Sequence, residues 1–78
     1  MTLSELKNTV LKNDKIPKDS YSFEGGLPNE ALCISQHGED WEIYYSERGK
    51  KTNLTKFKTE SEACEYFYKR LLKMIGLS

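Results

Sequence analysis

The sequence predicts an α+β fold: a short N-terminal helix, an antiparallel sheet of three or four strands, and a long C-terminal helix packed on one sheet face. Three observations predict it. Thr2 with Glu5, and Thr59 with Glu62, have capping-box spacing, in which the hydroxyl accepts from the third-position amide and the carboxylate from the cap amide. The run W-E-I-Y-Y-S from Trp41 alternates with the period of two that a half-buried strand requires. After Thr59, Ala63, Phe67, Leu71 and Ile75 recur at spacings of four, with Tyr66 and Met74 close to the same stripe.

Each element follows from local chemistry. Leu3, Leu6 and Val10 share one helical face, and the Asn13-Asp14-Lys15 turn with Ile16-Pro17 ends that helix, since the residue before proline avoids the helical region. Tyr21-Ser22-Phe23 alternates as a short first strand or an extended edge segment. The turn cluster Gly25-Gly26-Leu27-Pro28-Asn29 then leads into a strand from Ala31. Past a tight loop at residues 37–40, Trp41, Ile43 and Tyr45 should face the core, leaving Glu42, Tyr44 and Ser46 on the other face. A turn at residues 48–51 returns the chain as a strand over residues 52–58 with Phe57 as its core anchor. Glu60 lies in the first turn of the last helix, where the dipole favours an acid. Lys69, Arg70 and Lys73 lie near its negative end, and Gly76 stands where a left-handed residue closes it.

A chain of 78 residues, 37% hydrophobic and 12% aromatic, supports a single domain (1–78) with one modest core. Twelve basic and twelve acidic residues cancel, so no global field favours nucleic acid, an anionic membrane or an acidic substrate. No apolar run approaches the roughly 20 residues that span a bilayer, and the N-terminus lacks secretory order, which predicts a cytoplasmic protein without membrane contact.

Catalytic chemistry finds little to stand on, and we expect neither enzymatic activity nor a cofactor. His37 reads as a solvated turn residue, and Glu39-Asp40 as adjacent turn carboxylates without the burial or partner that acid catalysis needs. Gly25-Gly26 lacks phosphate-loop spacing. Cys33 and Cys64 fall outside any C-x-x-C pair and read as reduced thiols, a disulfide requiring that a strand and a helix bring them together. No zinc site follows from one histidine and two cysteines.

The candidate binding site is a local charge pattern. Over residues 48–58 there are five basic side chains, Arg48, Lys50, Lys51, Lys56 and Lys58, and no acid. A basic hairpin beside an exposed aromatic such as Tyr44 suits phosphate contact with stacking, whereas lysines on an edge strand also guard against self-pairing. The acids Glu39, Asp40, Glu42 and Glu47 precede the run and can pair across the hairpin with Lys51, Lys56 or Lys58.

Two resemblances bear on function. W-E-I-Y-Y, the G-K-K turn, K-F-K-T-E-S-E-A and an aromatic helix together resemble the arm-type DNA-binding domains of phage integrases over about half the chain. That likeness implies a three-stranded sheet entering the major groove, with Tyr44, Arg48, Lys50, Lys51 and Lys56 facing it. The order W-E-x-Y-Y-S-E-R-G, a phenylalanine strand, then E-A-C-x-Y-F also resembles small stand-alone bacterial proteins associated with immunity to secreted polymorphic toxins. It runs from Trp41 through Phe67. That resemblance implies a non-catalytic protein-binding module, an immunity or regulatory partner, with contacts from Tyr44, Glu47, Arg48, Lys50, Lys51 and Tyr68. A protein partner is the leading expectation and nucleic acid the alternative. The chain is expected to be a monomer or a weak dimer, the latter through the sheet face that carries Tyr44.

Overall fold

The computed structural model describes residues 1–77. Helix α1 (Leu3–Lys12) opens with a complete capping box: Glu5 N–H donates to the Thr2 hydroxyl, and Thr2 N–H donates to the Glu5 carboxylate. The carboxyl of Glu5 is lowered, first by that backbone hydrogen bond at Thr2. Helix α2 (Glu60–Met74) is capped by the Thr59 hydroxyl, which accepts from Glu62 N–H, but the Glu62 carboxylate accepts from that hydroxyl rather than from the Thr59 amide and so leaves this box half formed. Glu60 serves the other helix, accepting from Leu3 N–H at 2.9 Å. At its far end α2 closes in a Schellman motif, with Leu77 N–H donating to Leu72 and Gly76 N–H to Lys73.

Four strands lie in spatial order β1 (Tyr21–Ser22), β2 (Ala31–His37), β3 (Asp40–Glu47) and β4 (Lys50–Phe57). The sheet is mixed, which corrects the antiparallel expectation. β1 runs parallel to β2, with Tyr21 opposite Leu32 and Ser22 opposite Cys33. A hairpin cannot join parallel strands. Instead residues 23–30 wrap the sheet edge, from the helix face, where the Phe23 and Phe67 rings lie 5.8 Å apart, to the far face beside Ser35 and Tyr44.

The β3–β4 turn is tighter than the sequence suggested. Arg48 and Gly49 both take positive φ, 52° and 76°, the signature of a two-residue type I′ turn matched to strand twist. Glu47 therefore pairs directly with Lys50, and β4 begins at Lys50 rather than Thr52. Further along, Asn53 and Leu54 together oppose Tyr44, a bulge in which Asn53 takes φ 52°.

The helices form one layer on one sheet face. Leu6, Val10, Ile16, Leu32, Ile34, Trp41, Ile43, Ala63, Cys64, Phe67 and Leu71 make a single buried cluster, so α1 docks rather than standing away from the domain. Phe57, half-buried, meets Tyr66 of α2 with ring centroids 5.0 Å apart. Met74 leaves the expected apolar stripe and is exposed. No helix among the described residues is long and apolar enough to cross a membrane.

Candidate functional site

Alternation along β3 places Glu42, Tyr44 and Ser46 on the face away from the helices, yet all three are buried. The expectation of an exposed Tyr44 is therefore corrected. Residues 24–30 cover it, and its hydroxyl donates to the Gly26 carbonyl at 2.7 Å. This cover requires glycine at position 25: φ is +73°, and a Cβ there would sit 2.9 Å from the Ser35 Cβ. Burial, then the neighbouring Cys33, pushes the Tyr44 hydroxyl up to about 12. Cys33, directly opposite Tyr44 in the ladder, is likewise raised, chiefly by burial. Ser46 completes this face, its buried hydroxyl without a hydrogen-bond partner among the described residues.

The basic run is largely neutralised on this same face. Cross-strand register sets Glu42 opposite Lys56, and the nearly buried Glu42 carboxylate lies 4.0 Å from Lys56 Nζ and 3.9 Å from Lys51 Nζ. Lys51 also stands 4.7 Å above the Tyr44 ring centroid, a cation–π position. Lys58 bonds Asp40 at 3.1 Å. That leaves Arg48 and Lys50 exposed at the tip, beside Glu47. Tyr68, half-buried against the core, is about 200° round α2 from Tyr66, on the flank of Ser61 that meets the start of α1. The predicted contacts Tyr44, Glu47, Arg48, Lys50, Lys51 and Tyr68 thus form no single surface.

A different set of side chains does converge. β4 is a free sheet edge, and between it and the C-terminal half of α2 lie two shallow, open hollows of about 380 and 430 Å³, with a third of about 300 Å³ on the adjoining flank of α2, all three lined by Arg70. Tyr45, Leu54, Tyr66 and Met74 supply their apolar and aromatic walls, and Lys69 and Lys73 join Arg70 as cations. The bulge helps to build this trough. It turns the Asn53 carbonyl to accept from Arg70 at 3.2 Å, while the guanidinium lies 5.9 Å from the Tyr66 ring centroid. Among the described residues neither Lys69, Arg70 nor Lys73 pairs with a carboxylate. Burial, then Glu30 and Glu47, raises the Tyr45 hydroxyl, although the hollow that Tyr45 lines holds Arg70 and Lys73 and no acid.

Sequence reading had assigned these cations to the helix dipole. Their spacing of three, four and seven from Tyr66, which stacks them on one flank of α2, is the signal that was available. The free edge and the bulge were not legible.

Redox and metal chemistry gain no cluster. Cys64 lies in the helix-side core and Cys33 beneath the far face, so the sheet separates two free thiols. No group of three metal-ligating side chains occurs among the described residues, and His37 is exposed at the end of β2. Comparison with protein-family models, curated proteins and solved structures finds no match to this chain.

Proposed function

We propose that this chain is a small non-catalytic protein-binding module, of the immunity or regulatory type, that engages its partner through the trough between β4 and α2. One observation carries the reading: Lys69, Arg70 and Lys73 stand unpaired among the described residues, beside apolar walls and an unpaired sheet edge. Aromatic and arginine side chains around a concavity are what protein interfaces favour. The nucleic-acid alternative rests on Arg48 and Lys50 at the exposed tip. It is weakened by the pairing of Lys51, Lys56 and Lys58 with Glu42 and Asp40, because phosphate binding depends on cations free to displace counterions.

The test is photo-crosslinking in the cells that make the protein. A photoreactive residue at Leu54 should yield a discrete protein adduct that disappears with Arg70→Glu, while the same residue at exposed Leu11 on α1 yields none. An adduct indifferent to Arg70→Glu would remove the trough from the reading. Saturable amide shifts over residues 44–58 on adding a DNA duplex at about 50 mM salt, fading near 200 mM, would transfer the assignment to the hairpin.

A further inference from the structure

We propose that the occupant of this trough is an acidic segment of a partner protein, bound in extended form as an added strand against β4. The inference rests on the binding-module reading and names its ligand.

The edge itself selects by charge. β4 carries Lys50, Lys51 and Lys56 and no acid. Antiparallel self-pairing centred on Asn53 and Leu54 would set Lys51 of one copy against Lys56 of the other on both sides of the two-fold axis. Like charges directly opposite destabilise a strand pair, whereas opposite charges support one. Glu42 carries one negative charge between these two lysines, so each copy keeps a net positive charge along this edge that disfavours a second copy and favours an acidic strand.

The trough extends that selection to the side chains of the added strand. Successive residues of a strand point to opposite faces, so every second residue of the occupant faces α2. Those positions meet Arg70 and Lys73, with Leu54, Tyr66 and Met74 as the apolar floor and walls and Lys69 on the adjoining flank of α2. Arg70 is held ready by the Asn53 carbonyl, which fixes its fork without neutralising it. A planar guanidinium so placed suits a carboxylate.

Backbone pairing gives a readout that charge attraction alone does not. Amides on the open side of β4 have no strand partner, and an added strand would bond them.

The experiment titrates the labelled protein with a short blocked peptide alternating glutamate with valine, and with its lysine-for-glutamate counterpart. Saturable shifts are expected over residues 54–57 and 66–74, with slowed hydrogen exchange in β4, for the glutamate peptide only. Arg70→Glu with Lys73→Glu should weaken binding about tenfold or more, while the remote pair Lys12→Glu with Lys15→Glu, an equal change in net charge, should leave it within about twofold. Equal weakening by both pairs, or equal binding of the lysine peptide, would overturn the proposal. So would β4 protection that rises with protein concentration alone, which would make the occupant a second copy. If the Leu54 adduct forms but the glutamate peptide shifts nothing, the acidic strand falls and the binding module stands. If neither appears, both fall.

Discussion

The hairpin lysines and the helix cations have the same formal charge and opposite situations. Lys51, Lys56 and Lys58 each stand within 4.0 Å of a carboxylate, because antiparallel register sets Glu42 of β3 opposite Lys56, within reach of Lys51, and brings Asp40 at the start of β3 beside Lys58. Lys69, Arg70 and Lys73 sit on one helix flank, and the residues that share hollows with Arg70 and Lys73 from the sheet are Tyr45, Asn53, Leu54 and Thr55, none of them acidic. Density of charge along a sequence is thus a poor guide to field. What decides is which residues the fold sets opposite. The hairpin cluster should therefore register in stability, and the helix cluster in binding.

The largest effect should come from the floor beneath Lys51. In the unfolded chain the Tyr44 hydroxyl ionises near its ordinary value of 10, and in the folded chain near 12. Its contribution to stability is whole below pH 10 and is lost as pH rises from 10 to 12, because only the unfolded state gives up the proton across that window. About 2–3 kcal/mol should disappear, on the order of 1.4 kcal/mol per unit. Urea unfolding across this range, compared with Tyr44→Phe, isolates the effect, since the variant should lack that part of the slope. An identical slope in both would mean that the ring is not held under the loop. Next in size, Gly25→Ala should cost about 2 kcal/mol, since it combines positive φ with a collision at Ser35. A neutral result would show that residues 24–30 do not press on the sheet.

Why the hairpin was readable and this cover was not follows from the range of the signals. Trp41 and Ile43 face the core as their alternation demands, whereas Tyr45, expected with them, lies outside the buried cluster and lines the trough. The capping threonines at 2 and 59 begin the helices where spacing puts them. These are properties of a few consecutive residues. Tyr44 obeyed the same alternation, but its burial depends on residues 24–30 crossing a sheet edge, a contact between segments some eighteen positions apart. The two-residue strand β1 carries too little pattern to state whether it runs parallel or antiparallel. The resulting free edge at β4, on which the trough depends, is a property of strand order and not of any stretch of sequence.

Glu42 tests the neutralisation directly. Glu42→Gln keeps the shape and removes the charge that faces Lys51 and Lys56, and should cost about 1 kcal/mol, with a smaller difference from wild type at high salt. It should also create weak, salt-sensitive DNA shifts over residues 48–58 that the wild type lacks. Unchanged stability together with unchanged DNA binding would mean that Glu42 does not govern the hairpin field. On the same face Ser46→Ala removes a buried hydroxyl without a partner among the described residues, and should stabilise by up to about 1 kcal/mol.

The smallest effect on stability belongs to the helix cations, and its smallness is the point. Arg70→Glu with Lys73→Glu removes one hydrogen bond to the Asn53 carbonyl and a distant contact with the Tyr66 ring, and breaks no ion pair among the described residues. Acid near the C-terminal end of α2 opposes the helix dipole, but exposed charges there are worth only a few tenths of a kcal/mol each. The pair should thus shift the unfolding midpoint by no more than about 0.5–1 kcal/mol, measured by urea titration. A loss as large as that of Gly25→Ala would mean that Arg70 holds the bulge in place, and that the trough is structural. A small loss alongside a disappearing partner adduct would separate the two clusters by consequence: one fastens the sheet, the other is available to a ligand.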